Sequence, residues 1–333
     1  MLPNKSTELK FSKIILIGGG ELLLYTAILL KKNRINFSIL VSKRHSKEKF
    51  GNISFTNFLK IKNIDHKIVK NINLNINSIN AIKPNSLALC FGPSWIFSKK
   101  ILKLFNYNMF NINLIPLPKY MGGAHFTWQI LNNNFNGGVY FQKITDKLDQ
   151  GPILLGKKFR VKRINNVDPS HFFKENMRYG KKFIDSLIIK IKNNFKFQMK
   201  DFKKKYSSRE YFPRLFTKKN GYINWNWNIS DIVKFCNAFD SPYSGALTYH
   251  KNKIINLRSV SIYKKKKFHP FVNGLIIKKN KNNIYVALAD GIIKIIHLIN
   301  QNKIYNNKVC QGDRFYTPNK IIENSLRFRK KFK

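Results

Sequence analysis

Short apolar runs alternate with stretches of helical length along the first third of the chain. The apolar runs cover residues 13–18, 36–41, 86–92 and 109–114. The stretches with the length of a helix cover residues 20–32 and 95–105. Buried parallel strands are typically continuous apolar runs, and their alternation with helices indicates a parallel sheet. The pattern therefore predicts a domain of the α/β class.

The pattern becomes less regular after Pro118. Asn136, Gly137 and Gly138 together are a turn signal. Segments typical of regular structure continue, and they cover residues 124–132 (helix), 139–145 and 153–161 (strands), and 169–194 (one long helix). The two strands flank a polar loop, so we expect a hairpin-like pair at this point of the chain.

The last third of the chain is rich in short strands. These segments cover residues 245–250, 253–263, 274–279, 283–289 and 291–299. A single stretch of helical length, residues 230–239, precedes them. We therefore predict an α/β domain at 1–195, a basic linker at 196–215 and a smaller β-rich, barrel-like domain at 216–325.

The charge of the chain is extreme and has two explanations. There are 62 lysines and arginines against 16 aspartates and glutamates, which gives a formal net charge of +46. Clustered cations displace counterions from phosphates, so a polyanionic partner is one explanation. Codon bias is the other, because Lys, Asn and Ile belong to AT-rich codons. The spread of positive charge along the whole chain favours the second explanation.

Cysteines and histidines indicate neither a disulfide framework nor a metal site. Cys90, Cys236 and Cys310 are far apart and form no CxxC pair, which favours a reducing cytoplasm. The seven histidines show no metal-ligand spacing, so no metal is expected. The first long apolar run contains Glu21 and stops at Lys31, which predicts neither a membrane span nor a signal peptide.

Gly18, Gly19 and Gly20 follow the first predicted strand and allow two interpretations. A dinucleotide-binding fingerprint needs a further glycine at the start of the helix, where Leu23 stands, and an acid after the second strand, which is missing. A tight turn between a strand and a helix also needs glycine geometry. The missing features favour the turn.

Two asparagines and an aspartate carry the most specific chemistry in the chain. Asn111 and Asn113 lie at the C-terminal end of a predicted strand, and side chains two residues apart point the same way. Ligands bind at this edge of a parallel sheet, and Asp149 can converge on the same crevice from its loop. The residues alone equally allow asparagines that cap a strand and an aspartate that forms a turn with Gly151.

Asn111 and Asp149 belong to a longer ordered set, which comprises Asn111, Leu117, Pro118, Gly122, Trp128, Leu148, Asp149 and Gly151. The set resembles the pattern of the methionyl-tRNA formyltransferase family, which includes amino-sugar N-formyltransferases. That pattern is Asn-x-His, Leu-Pro, a glycine loop, a helix with Trp, and later Leu-Asp-x-Gly. Segments at 211–215, 220–227, 238–246 and 290–291 are also similar to the family's second domain, so the resemblance spans about residues 10–318.

The resemblance implies a Rossmann-like α/β formyltransferase domain followed by a smaller OB-like domain. It implies transfer of a formyl group from 10-formyltetrahydrofolate, as co-substrate, to an acceptor amine. The implied catalytic residues are Asn111, Asn113, His125 and Asp149. The implied cofactor-binding residues are Gly92, Trp95, Ile96, Thr145 and Leu148.

One position departs from the family pattern. Asn113 stands where the family has a histidine that supports charge at the tetrahedral centre. An asparagine can donate a hydrogen bond to an oxyanion but cannot titrate. His125, in the nearby glycine loop, is a candidate replacement, and a packing or substrate-binding role is its equal alternative. A catalytically weakened paralogue is the third possibility.

The resemblance leaves the acceptor open. The charge and the OB-like domain favour a tRNA partner, so we expect methionyl-tRNA as acceptor. Residues 242–246 and the short basic loop at 43–47 are closer to the amino-sugar enzymes, which makes a nucleotide-linked amino sugar the alternative. A non-catalytic nucleic-acid-binding paralogue is a further alternative, because Asn113 replaces the histidine. The oligomeric state is not predicted.

Overall fold

The computed structural model describes residues 6–74, 82, 85–117, 119–123, 125–147, 149–198 and 210–329. The chain divides into two compact units. Unit 1 comprises Met1–Met121, Asn136–Arg160 and Asn176–Glu210. Unit 2 comprises Gly122–Phe135, Val161–Glu175 and Tyr211–Lys333.

The described residues form strands and helices along the whole chain. The strands are β1 Ser6–Glu8, β2 Lys13–Gly18, β3 Phe37–Ser42, β4 Lys49–Phe50, β5 Ile53–Ser54, β6 His66–Val69, β7 Ser86–Phe91, β8 Met109–Asn113, β9 Met121–Gly122, β10 Asn136–Lys143, β11 Ile153–Arg160, β12 Lys196–Gln198, β13 Tyr211–Phe212, β14 Ala246–His250, β15 Lys253–Lys265, β16 Leu275–Lys279, β17 Ile284–Leu288, β18 Gly291–Asn300 and β19 Lys303–Ile304. The α-helices are α1 Glu21–Lys32, α2 Phe55–Ile61, α3 Lys99–Leu104, α4 His125–Leu131, α5 Pro169–Lys192, α6 Thr217–Asn220, α7 Ile229–Ala238 and α8 Asn319–Arg327.

A seven-stranded sheet organises unit 1, in the order β11-β10-β8-β7-β2-β3-β6. The five strands from β8 to β6 are parallel, as the apolar runs predict. The strands β10 and β11 extend the sheet in antiparallel fashion. The α/β class with a parallel-dominated sheet is therefore confirmed, and the strand order changes direction between β2 and β7.

Both faces of this sheet are covered by apolar layers. The alternation along β2 sends Ile14 and Leu16 to one layer and Ile15 and Ile17 to the other. Residues of α1 and α5 complete the first layer, and residues of α3 complete the second. Because β2 is buried on both faces, it reads in the sequence as a continuous apolar run.

Unit 2 contains a separate antiparallel sheet, in the order β14-β15-β18-β17-β16, with β19 paired to β18. Helix α7 packs against β15 and β18 of this sheet. Its start is held by the Asp290 carboxylate, which accepts a hydrogen bond from the backbone N–H of Ile229 at 2.9 Å. The β-rich character predicted for the last third of the chain is confirmed.

The turn predicted at Asn136, Gly137 and Gly138 is wrong, because these residues begin β10. Rings occupy the space that side chains would need. A Cβ on Gly137 would lie 2.1 Å from the Phe159 ring, and one on Gly138 would lie 2.5 Å from the Tyr140 ring. Here glycine permits close packing within a strand, which sequence alone does not distinguish from a turn.

The boundaries of the two compact units differ from the domain boundary that the sequence predicts at residue 195. The segments 122–135 and 161–175 pack within unit 2, although the sequence analysis groups them with the first domain. Of the predicted linker at 196–215, the strand β12 pairs with β1, and β13 covers two further residues. Residues 199–209 of that linker lie outside the described residues.

Candidate active site

Two asparagines lie at the C-terminal end of β8, on the sheet of unit 1. Asn111 and Asn113 are two residues apart in the strand, so their side chains project to the same face. Across the antiparallel ladder Asn111 is opposite Gln142 and Asn113 is opposite Tyr140. Directly opposed residues share a face, so these four side chains form one row at the edge of the sheet.

Asn113 contacts Asp149 directly. The amide Nδ2 of Asn113 donates a hydrogen bond to Oδ1 of Asp149 at 3.0 Å. Asn113 is buried and Asp149 is half-buried, so little water competes for this bond. The bond fixes the direction of the Asn113 amide, because only its nitrogen can donate to a carboxylate.

The turn that carries Asp149 is tightly constrained. Asp149 has a φ of 51°, in the left-handed region that residues with a side chain rarely adopt. A Cβ on Gly151 would lie 1.8 Å from the backbone oxygen of Lys143. Only glycine allows the turn to approach the end of β10 this closely.

Asn111 has a buried acceptor without a donor. No group among the described residues makes a hydrogen bond to its Oδ1, and the atom is shielded from solvent. An unsatisfied buried oxygen costs free energy unless a ligand or water supplies a donor. The position of this atom therefore marks a place where a molecule with an N–H or O–H group is favoured.

A cavity of about 60 Å³ opens beside these residues in unit 1. Its wall includes five of the predicted site residues and the strand partner of Asn111, namely Trp95, Ile96, Asn111, Thr145, Asp149 and Gln142. Of the predicted cofactor-binding residues, Trp95, Ile96 and Thr145 thus lie at the same cavity as Asn111 and Asp149. Gly92 is not part of its wall; its carbonyl accepts a hydrogen bond from Arg44 at 3.2 Å.

Two predicted site residues cannot be placed. Leu148 lies outside the described residues. The backbone of His125 begins α4, but its side chain lies outside the described part of the chain. The predicted approach of the His125 ring to the crevice therefore stays a prediction.

Comparison with known proteins identifies the second unit first. A model of the formyl transferase C-terminal domain matches residues 216–314. The chain is also 28% identical over 221 residues to the methionyl-tRNA formyltransferase of Clostridium tetani (strain Massachusetts / E88), a match that covers 66% of this chain and 68% of that protein.

A longer match and a solved structure agree with this. The chain is 26% identical over 306 residues to the bifunctional polymyxin resistance protein ArnA of Wigglesworthia glossinidia brevipalpis, which covers 89% of this chain but 45% of ArnA. Its fold is similar to that of WlaRD, a sugar 3N-formyl transferase crystallised in the presence of dTDP and 5-N-formyl-THF. The TM-score is 0.65 and the identity 19%, over 87% of this chain and 98% of that chain.

These matches support the formyltransferase family for this chain. The chain is an enzyme of formyl transfer. The family resemblance inferred from the ordered set of residues is thereby confirmed. Because the match spans less than half of ArnA, similarity to that relative concerns only part of its length.

The wall of this cavity also carries an exposed apolar side chain and a lysine. Ile96, in that wall, is 54% exposed. Lys143 also lines the cavity, and burial lowers the pKa of its ammonium.

The triple glycine of this formyltransferase serves packing. A Cβ on Gly18 would lie 2.1 Å from the Phe91 oxygen, and one on Gly19 would lie 2.6 Å from the His45 side chain. His45 is buried, and its Nδ1 shares a hydrogen bond with the Ser42 hydroxyl at 2.9 Å. Glycine is needed because neighbouring strands and the His45 ring approach the backbone closely, in agreement with the turn interpretation.

Burial and charge tune the groups beside this turn. Burial and then the Arg44 guanidinium lower the pKa of His45 to about 4. His45 is therefore neutral at physiological pH, and its Nε2 can accept from Arg44 at 2.6 Å. Burial raises the pKa of the Glu48 carboxyl, although Arg44 and a backbone N–H of Gly20 oppose the shift.

A larger cavity lies in unit 2 and is not the candidate active site. It has a volume of about 320 Å³, and aromatic rings such as Trp128, Trp227 and Phe235 dominate its walls. Its one carboxylate, Asp231, is paired with Lys234 at 2.5 Å. Among the described residues of its wall, no buried side-chain oxygen lacks a hydrogen bond, whereas the cavity in unit 1 has such an oxygen on Asn111.

Sequence reasoning missed Gln142, which is buried in β10, and the burial of His45 in the short loop after β3. Gln142 belongs to no motif, and His45 stands in the sequence only as part of the basic loop at 43–47. The one signal for Gln142 is a polar residue inside the apolar strand β10. Within the described part of the chain, no cluster of His, Cys, Asp and Glu has a metal-binding arrangement, and no helix has the length and apolarity that crossing a membrane requires.

Proposed function

We propose that this formyltransferase transfers the formyl group of 10-formyltetrahydrofolate to the amino group of methionyl-tRNA. The single observation that carries the location of the chemistry is the Asn113–Asp149 hydrogen bond beside the orphaned oxygen of Asn111. A positioned carboxylate and an amide with a vacant acceptor suit an amine that attacks a carbonyl carbon.

We assign to the side-chain amide of Asn111 two contacts with the reactants. Its Nδ2 can donate to the formyl oxygen, which gains negative charge as the amine attacks. Its Oδ1 lacks a donor among the described residues and suits an N–H of the incoming amine. Removal of one oxyanion donor typically costs about 3–4 kcal/mol of transition-state stabilisation.

We assign to Asp149 the removal of a proton from the attacking amine. An amine that forms a bond to the formyl carbon loses a proton, and Asp149 is the one carboxylate among the described residues of the cavity wall. The bond between the formyl carbon and the donor nitrogen then breaks, and the proton taken by Asp149 passes to that leaving nitrogen. The N–H of Asn113 holds that carboxylate through its Oδ1 atom. Because Asn113 stays neutral, any charge at the formyl oxygen is met by dipoles rather than by an imidazolium.

The donor is assigned to the rim of the same cavity. Trp95, Ile96 and Thr145 line the cavity, and Trp95 donates from its ring nitrogen to the Lys70 carbonyl at 3.4 Å. An anchored indole and an exposed isoleucine offer a flat apolar surface for a pterin-sized ring. Gly92 and Leu148 remain proposed contacts by resemblance.

The choice of methionyl-tRNA rests on similarity and on unit 2. The Clostridium tetani relative is a methionyl-tRNA formyltransferase. On unit 2 a cation lies over an aromatic ring: Arg314 over Phe271. Phe271 is 77% exposed. Exposed rings combined with cations are typical of surfaces that bind single-stranded nucleic acid.

A nucleotide-linked amino sugar is the second candidate acceptor. WlaRD, which has a similar fold, is a sugar 3N-formyl transferase. The non-catalytic alternative is not carried further, because the family assignment makes the chain an enzyme.

An acceptor screen tests the proposal. Labelled 10-formyltetrahydrofolate is offered with methionyl-tRNA and, separately, with nucleotide-linked amino sugars. We expect label on methionyl-tRNA, and a loss of about 10²-fold or more in kcat for Asn111→Ala. The exposed Asn282→Ala is the matched control and should keep full turnover. Label on the sugar alone would refute the acceptor, and an unaffected Asn111→Ala would refute the site.

We further propose a reducing, cytoplasmic setting. Cys90, Cys236 and Cys310 are unpaired, and Cys310 is exposed. Burial raises the pKa of the Cys90 and Cys236 thiols, so they stay protonated and unreactive. An exposed free thiol persists most easily where disulfides do not form.

A further inference from the structure

A buried glutamine lies directly behind the candidate active site. Gln142, in β10, is 4% exposed and is the ladder partner of Asn111. Its side chain therefore projects from the same face of the sheet as that of Asn111. It also forms part of the cavity wall that includes Asp149.

The amide of Gln142 joins strand β10 to the turn after it. Its Nε2 donates to the backbone oxygen of Asp149 at 3.0 Å and to that of Gly151 at 2.9 Å. An amide nitrogen carries two protons, so both are used. Neither a carboxylate nor a thioether can replace this double donor.

The turn needs such a tie because its own conformation is unfavourable. The backbone of Asp149 is left-handed, which an aspartate adopts less readily than a glycine. Gly151 lies against the backbone oxygen of Lys143 without room for a Cβ. Gln142 holds the carbonyls on both sides of Gln150, so it secures the turn at its two ends.

We propose that Gln142 is a positioning residue for Asp149. It fixes the backbone of Asp149 so that the carboxylate meets the Asn113 amide at 3.0 Å and faces the cavity. This inference rests on the proposed role of Asp149 in proton transfer. Gln142 acts on the reaction through Asp149 and not by contact with the reacting atoms.

The test compares full-length variants of Gln142. Gln142→Met keeps a similar length but donates no hydrogen bond, and Gln142→Glu turns oxygens toward two carbonyls. We expect kcat to fall about 10- to 100-fold, since small displacements of a catalytic group cost this much. The KM for the donor should change less than about threefold, because the binding surface at Trp95 and Ile96 is untouched.

Gln129→Met is the matched control. Gln129 is a buried glutamine of unit 2, and its Nε2 also donates to a backbone carbonyl, that of Asn134 at 3.4 Å. Gln142→Met and Gln129→Met therefore both remove a buried side-chain amide. The control should keep the wild-type ratio of kcat to KM, whereas a general effect of amide loss would lower both variants alike and overturn the proposal.

Amide hydrogen exchange gives a readout that does not depend on the acceptor. The peptide covering residues 144–152 should exchange at least about tenfold faster in Gln142→Met, because the turn loses its tie. Unchanged exchange in both Gln142 variants overturns the positioning role. Faster exchange in a protein that formylates no acceptor would instead leave the role of Gln142 intact and refute the proposed function.

Discussion

The Nδ2 atom of Asn113 lies 3.0 Å from Oδ1 of Asp149, at the edge of the main sheet. The resemblance to the formyltransferases leads us to expect a histidine beside this aspartate. A histidine there could become positively charged, but an asparagine offers only a neutral N–H. Asn113 therefore still donates a hydrogen bond to the Asp149 carboxylate. Unlike a histidine, it cannot take up or release a proton.

The first prediction concerns which residue replaces the missing imidazole. We expect Asn113→Ala to lower kcat about 10²-fold, because Asp149 loses the donor that orients it. His125→Ala should have the smaller effect if Asn113 acts as a neutral donor. Both variants are measured with the same acceptor. A large loss only in His125→Ala would identify His125 as the replacement, and full activity in both would contradict the assigned site.

The fold could be predicted where burial forces a simple pattern. The strand β2 is buried on both faces, so its apolar run predicts it correctly, and α1 follows because a glycine turn precedes a helix-length stretch. The direction of β10 could not be predicted. An antiparallel strand and a parallel strand inside a sheet both need apolar side chains, and the strand with which each one pairs decides between them.

Only those residues of the site that stand in a sequence motif could be predicted. Asn111 and Asp149 stand in an ordered set, Asn113 takes the place of its histidine, and the structure brings the three to one edge of the sheet. Gln142 escaped because its function depends on two carbonyls that approach it only after the turn folds. Such backbone acceptors are present in every residue and leave no trace in the sequence.

The second prediction concerns stability at acid pH. His45 has a pKa of about 4 in the folded state against an ordinary value of 6.5. Between these values the unfolded chain binds a proton that the folded chain does not, so stability falls as the pH drops from about 6.5 towards 4. We expect His45→Gln to remove about 2 kcal/mol of this acid-induced loss.

Denaturant unfolding at pH 7.5 and pH 4.5 measures this effect as a difference between wild type and variant, which cancels the other titrating groups. The exposed His297→Gln serves as the control and should keep the wild-type dependence. An identical loss of stability in wild type and His45→Gln would show that His45 is not held neutral by its surroundings.

The third prediction concerns the aromatic and cationic surface of unit 2. If it binds tRNA, affinity should fall steeply with salt, with about one unit of log–log slope for each phosphate neutralised. Phe271→Ala should raise the KM for methionyl-tRNA roughly fivefold or more, since a stacked base is worth about 1–3 kcal/mol. Phe173→Ala removes another exposed ring of unit 2 and should leave this KM unchanged. A flat salt response would favour codon bias as the origin of the net charge of +46.

The last prediction restores the histidine. In Asn113→His the imidazole Nδ1 takes roughly the place of the amide Nδ2, so it can keep the bond to Asp149 while its other nitrogen faces away from the carboxylate. The nearby negative charge should raise the pKa of this histidine and favour its charged form. An imidazolium near the formyl oxygen should then raise kcat, and the pH profile should gain a limb that falls as the histidine deprotonates at higher pH. Rates measured from pH 5.5 to 8.5 for wild type, Asn113→His and Asn113→Gln would show this, because glutamine keeps an amide and should gain no new limb. A rate for Asn113→His that is lower than wild type at every pH would mean that the surroundings of Asn113 have adapted to a neutral donor.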